Sequence, residues 1–148
     1  PLLYADFITE LNVGLPLYLE SNMTLPYMAK KVKDCVSFVS GDVKLTDEFK
    51  GEKLESHIER TIETFKVLRK TENRDCFCKI VMTKDTDPAD VLNVTGSIRN
   101  FISCIVLQPV TQHDLRPDVR VLLELQNELL GDIDTLIIPQ THRMWGCL

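Results

Sequence analysis

The sequence contains no apolar run approaching the ~20 residues that a membrane helix requires, and no charged-then-apolar leader opens it. A soluble cytoplasmic protein is therefore expected. It also lacks the basic excess that nucleic-acid binding calls for. The formal charge is −5 over 148 residues, and the lysines and arginines are scattered among acidic residues instead of forming a stripe. Direct binding of DNA or RNA is disfavoured on that ground, and no partner in a membrane is expected. No Gly-rich phosphate loop, Ser/His/Asp arrangement or HExxH motif occurs. Cysteine is present but odd in number: of five, Cys35, Cys76, Cys78 and Cys104 lie mostly within apolar runs. Buried thiols in a reducing compartment suit that pattern better than a disulfide framework. The Asn22-Met23-Thr24 and Asn93-Val94-Thr95 sequons are then chance matches.

What is present is an apolar fraction of 44%, enough for one domain with a real core. No low-complexity segment or linker marks a second domain, so residues 1–148 are read as one. Short β-rich runs alternate with amphipathic stretches, the signature of parallel βαβ units. Leu3, Phe7 and Leu11 recur every four positions and predict a helix over Leu2 to Leu11, with Gly14 placed to end it. Strands are expected at Leu15 to Leu19, Cys35 to Val39, Cys76 to Met82, Cys104 to Leu107 and Leu136 to Ile138. The third is continuously apolar except for Lys79, as expected of a strand covered on both faces.

Between the strands, Pro26 opens a helix reaching about Lys33. Leu54, Ile58, Ile62, Phe65 and Leu68 paint one face of a long helix between Glu52 and Lys70. A helix over Ala89 to Arg99 follows, and Pro117 opens another that carries Leu122, Leu125 and Leu129 and closes at Gly131. The class is α/β, either an open parallel sheet or part of a (β/α) barrel. Both place their chemistry at the carboxyl ends of the strands.

Those ends carry Glu20-Ser21-Asn22, Asp42-Val43-Lys44, Gln108 and Gln140-Thr141-His142, which together form a candidate site. Asp42 and Lys44 are two apart on an extended segment, so their side chains share a face and could pair or grip a zwitterion together. An ordinary salt bridge is the plainer account. Lys79 inside an apolar strand must face a polar cavity or find a carboxylate. His142 is by itself no more than a loop histidine. Cys76 and Cys78 share a strand face, with Cys104 on the neighbouring strand, and core packing outranks metal binding for them.

The ordered series Pro1-Leu2-Leu3, Tyr18-Leu19-Glu20-Ser21-Asn22 with Thr24-Leu25-Pro26, and Gly41-Asp42-Val43-Lys44-Leu45 resembles the GGEPLL, ETNGTLP-like and DIKL-like segments of radical S-adenosylmethionine enzymes. Cys78-Lys79-Ile80-Val81 and Val106-Leu107-Gln108-Pro109-Val110-Thr111 match later strands of that superfamily. Ile138-Pro139-Gln140-Thr141-His142-Arg143 is similar to the PQTHK ending of 7-carboxy-7-deazaguanine synthases. Two departures stand out. Met23 replaces a glycine where the backbone turns beside the cofactor, and no three cysteines have the CxxxCxxC spacing.

The resemblance implies a partial (β/α) barrel of the radical S-adenosylmethionine type with its first strands missing. It implies S-adenosylmethionine and a 4Fe–4S cluster as cofactors, the cluster's three thiolate ligands being absent from this chain, and magnesium as an assisting ion. The substrate implied is the pterin 6-carboxy-5,6,7,8-tetrahydropterin, converted to 7-carboxy-7-deazaguanine on the route to queuosine or archaeosine. Glu20, Ser21 and Asn22 would line the cofactor site, Asp42 and Lys44 would touch its ribose or amino-acid part, and Gln108 would hydrogen-bond it. His142 with Gln140 and Thr141, and the carboxylate of Leu148, would face the substrate. No residue of the chain is assigned a catalytic or metal-ligating role.

On this reading the polypeptide is inactive alone. Its edge strand at Leu15 to Leu19 exposes unpaired backbone groups, so a homodimer or other self-association through that edge is expected. A radical activase or paralogue with another substrate, and a non-catalytic α/β module without a cluster, are the competing functions.

Overall fold

Among the described residues, five strands, all parallel, are hydrogen-bonded in the order in which the chain makes them. They are β1 (Tyr18–Ser21), β2 (Phe38–Lys44), β3 (Asp75–Met82), β4 (Cys104–Pro109) and β5 (Thr135–Ile137). The computed structural model describes residues 1–11, 13–45, 52–141 and 146. The helices are α1 (Ala5–Glu10), α2 (Pro26–Val32), α3 (Glu52–Val67), α4 (Pro88–Ile98) and α5 (Val119–Leu130). Sequential strand order means that every crossover runs the same way, and right-handed crossovers then put every connecting helix on one side. Successive helices are indeed in contact, α1 with α2 through to α4 with α5. Strand order never reverses, so the fold is an arc of a (β/α) barrel and not a doubly wound sheet. Among the described residues no helix is long and apolar enough to cross a membrane.

One face of the sheet carries the core. Leu19, Val39, Val43, Cys76, Cys78, Ile80, Met82, Ile105 and Leu107 are buried against Ala29, Val32, Phe65, Leu68, Val91, Ile98 and Leu125 from the helices. In the second half of the chain, aspartates cap two of the helices. Asp87 accepts the Ala89 N–H at 2.8 Å and Asp118 accepts the Arg120 N–H at 2.8 Å, satisfying donors that the first helical turn leaves free. Pro88 occupies the first turn of α4.

Three expectations are corrected. The strands near Leu15 to Leu19 and Cys35 to Val39 are shifted toward the carboxyl side, so Glu20, Ser21, Asp42 and Lys44 lie within β1 and β2 and not beyond them. Apolar runs locate residues covered by helices, whereas these strands continue with a polar open face. For the same reason β3 is not covered on both faces: its burial alternates residue by residue. Thirdly, the helix at the start is a short turn at Leu2–Tyr4 followed by α1, and it packs through Leu2, Ala5 and Ile8. Leu3 and Phe7, which the four-residue spacing assigned to the core, are exposed.

Candidate functional site

The open face of the sheet is read from strand alternation and register. Parallel strands in register place Glu20 beside Ser40 and Ser40 beside Phe77. One step toward the carboxyl edge, Asp42 lies beside Lys79, and Lys79 beside Val106. A further step brings Lys44, Val81 and Gln108 into line. The sheet therefore gathers Glu20, Ser40, Asp42, Lys44, Lys79 and Gln108 on one surface. Tyr18 and Phe77 lie side by side on the same surface, their rings tilted by 43° with centroids 6.4 Å apart.

Lys79 organises the centre. Its Nζ donates to Glu20 Oε1 at 2.6 Å and lies 2.9 Å from Asp42 Oδ1. The second contact is ionic by distance, without the angle of a hydrogen bond. Its side chain is only 17% exposed and Asp42's 25%, so the pair is shielded while Glu20 at 54% faces solvent. Asp42 thus pairs across the strands with Lys79 and not along its own strand with Lys44. Adjacent strands are ~4.8 Å apart, while residues i and i+2 are nearly 7 Å apart along one strand.

Burial pulls the Lys79 ammonium down, but the nearby carboxylates of Glu20 and Asp42 more than reverse this, leaving it above its ordinary range. Asp42 is raised above the usual carboxylate range. Burial is the largest cause and Lys79 opposes it. Two buried acceptors on this face have no hydrogen-bond donor among the described residues: Ser40 Oγ and Asp42 Oδ1.

A cleft of about 520 Å³ opens beside the cluster, lined by Glu20, Ser21, Asn22 and Asp42 together with Pro1 and Leu3. Its rim is the turn after β1. Ser21 is buried on the helix side, where its Oγ accepts the Met23 N–H at 3.2 Å, and Thr24 Oγ1 donates to Asn22 Oδ1 at 3.0 Å. These two side chains shape the turn as well as line the cleft. Met23 adopts the left-handed conformation with φ 55°, which glycine takes at no cost. Its side chain is fully buried in the helix-side core above Gly41, pointing away from the open face. The substitution that threatened the pocket is absorbed by the core instead.

Glu20, Ser21, Asn22 and Asp42 are thus brought together in one cleft, and Lys44 and Gln108 lie further along the same face. Gln140 and Thr141 follow β5, at the opposite edge of the sheet from β1. Among the described residues no hydrogen bond or ion pair joins them to the Glu20 cluster. Gln140 Oε1 is buried without a donor among these residues, and the Thr141 N–H donates to Pro139 O at 2.8 Å. His142 and Leu148 lie outside the described residues. Ser40 escaped notice in the sequence because a serine in an apolar run is unremarkable. Its position two residues before Asp42, on the same strand face, was the available signal.

The described cysteines are free thiols. Burial pushes Cys76 up to about 12 and Cys78 well above its ordinary range. Both sit in the helix-side core, while Cys104 lies beside Phe77 on the open face. No group of three or more His, Cys, Asp or Glu suited to a metal ion occurs among the described residues.

The chain is 42% identical over 146 residues to the 7-carboxy-7-deazaguanine synthase of Archaeoglobus fulgidus, a match covering 99% of this chain and 62% of that protein. It is 28% identical over 170 residues to the 7-carboxy-7-deazaguanine synthase of Methanothermobacter thermautotrophicus, covering 99% of this chain and 66% of the relative. It therefore spans just under two thirds of the length of either. No family model matches. Among solved structures, a domain of a pyruvate-formate lyase-activating enzyme from Bacteroides vulgatus aligns with TM-score 0.70 and 13% identity over 93% of each chain, a likeness of fold alone. Similarity to the first of these relatives extends over essentially the whole of this chain.

Proposed function

We propose that this chain supplies the S-adenosylmethionine-binding face of a radical enzyme that converts 6-carboxy-5,6,7,8-tetrahydropterin to 7-carboxy-7-deazaguanine, a cytoplasmic step of 7-deazapurine biosynthesis. The observation that carries the reading is the open-face cluster. S-adenosylmethionine presents two ribose hydroxyls and an ammonium as donors and a carboxylate as acceptor. The face offers carboxylates at Glu20 and Asp42, an orphan acceptor at Ser40 Oγ, and the cation of Lys44. Buried acceptors without donors are costly, and a ligand bearing donors relieves that cost.

The fit differs between cofactors. S-adenosylmethionine, when bound, supplies the carbon radical, and this chain's part is to hold it by charge and hydrogen bonding. Glu20 and Asp42 would accept its donors and Lys44 would pair with its carboxylate, while Gln108 extends the polar row on the same face. The 4Fe–4S cluster does not fit the described residues: Cys76 and Cys78 are protonated core thiols on the wrong face. Magnesium likewise has no clustered ligand set among the described residues. Gln140, Thr141, His142 and Leu148 remain the substrate-side residues of the reading. Pairing of the chain with itself through β1, which among the described residues bonds to β2 alone, completes it.

The test is calorimetric titration of S-adenosylmethionine into the chain. Saturable binding that weakens at least tenfold in Asp42→Asn is expected, and heat indistinguishable from dilution would refute the reading. Turnover belongs to the complete gene product, assayed with 6-carboxytetrahydropterin; absence of a deazaguanine product there would remove the substrate assignment. A monodisperse monomer in sedimentation would count against self-association.

A further inference from the structure

We infer that Lys79 is a positioning residue of the open-face site: its ammonium clamps the carboxylates of Glu20 and Asp42 from two other strands into one acceptor surface. The ligand named here rests on the proposed S-adenosylmethionine reading, whereas the clamp rests on geometry alone. Glu20 projects from β1 and Asp42 from β2, and Lys79 reaches across β2 from β3 to both, at 2.6 and 2.9 Å. Two like charges on neighbouring strands repel, and Glu20 does push Asp42 toward protonation. Lys79 is the stronger of the two cations that oppose this; Lys44, on Asp42's own strand, is the other.

A purely structural account of Lys79 is weak. Its long stem lies in a row between Val106 and Asp42, and its charged tip is largely withdrawn from water. Desolvating a cation and a carboxylate costs more than burying an apolar isostere, so a packing role would be filled better by methionine. What methionine cannot do is keep Asp42 ionised and Glu20 drawn inward. With the clamp, both oxygens are fixed acceptors for the hydroxyls or ammonium of a ligand. Without it, Asp42 becomes a donor over a wider pH range and Glu20 swings to solvent.

The experiment compares the chain with Lys79→Met and Lys79→Arg. Carbon-13 spectra of the Asp42 carboxyl across pH should show its titration midpoint moving up in Lys79→Met and returning toward wild type in Lys79→Arg. Thermal melting of Lys79→Met should match or exceed wild type, while its affinity for S-adenosylmethionine falls at least tenfold, with Lys79→Arg recovering most of the loss. An unchanged Asp42 midpoint in Lys79→Met overturns the clamp, as does a loss of affinity matched by a loss of folding. Should the wild-type chain bind no S-adenosylmethionine while the Asp42 midpoint still shifts, the ligand reading fails and the clamp stands.

Discussion

Gly41→Ala tests the packing that places β2 beneath the long helix. Gly41 lies on the helix side of β2, where an added Cβ would fall 2.6 Å from Phe65 Cε1, closer still to Phe65 Cζ, and 2.8 Å from Met23 Cγ. Carbon atoms in unbonded contact sit about 3.5–4.0 Å apart. Phe65 and Met23 are both fully buried, so neither can swing into solvent to make room. Overpacking of this kind costs about 1–3 kcal/mol. Loss of glycine's unfolded-chain freedom returns roughly 0.4–1 kcal/mol, because the backbone here is ordinary extended strand. Overlap this close against two locked side chains puts the cost in the upper part of that range, about 2–3 kcal/mol, so with about 1 kcal/mol returned the expected net is a loss of about 1–2 kcal/mol. At about 2–4 °C per kcal/mol for a chain of this length, that lowers the melting temperature by roughly 2–8 °C. Circular dichroism melting reads the loss directly. Phe65→Leu removes the ring atoms in the way, so Gly41→Ala should cost less in that background, by at least about 0.5 kcal/mol of coupling. A Gly41→Ala chain that melts at or above wild type, or strict additivity with Phe65→Leu, would refute the reasoning.

Met23→Gly relieves a left-handed side chain worth about 1–2 kcal/mol but empties a fully buried site worth about 2–5 kcal/mol, so urea unfolding should show a net loss. Burial, with Arg60 and Lys44 assisting, holds His57 below its ordinary value of about 6.5. The unfolded chain therefore takes up the proton first. Stability should be complete above that pH and fall as acid is added, and His57→Gln should flatten the slope measured below pH ~6.5. Cys76 and Cys78, buried and held as thiols, should resist iodoacetamide in the native chain and label only on unfolding. Labelling in native buffer at the rate of a free thiol would contradict their placement. Asp87→Ala should lose about 1 kcal/mol by uncapping α4, visible as a lower urea midpoint.

By itself the sequence determined the class and most of the elements. Apolar spacing placed the long helix between Glu52 and Lys70, and Pro117 and Gly131 bounded α5. The alternation of strands and helices announced parallel pairing because connections between neighbours of that kind admit little else. Motif order in Glu20-Ser21-Asn22, Asp42-Val43-Lys44 and Gln108 located the strand ends that carry polar groups. Only the tertiary structure decided which of these meet. Whether Asp42 pairs with Lys44 or Lys79, whether Ser40 shares their face, and whether Met23 disturbs the cleft or fills the core all depend on the register between strands far apart in the chain. Register is a property of the folded sheet. Local spacing tells which side of a strand a residue occupies, but not which residue on the next strand stands beside it.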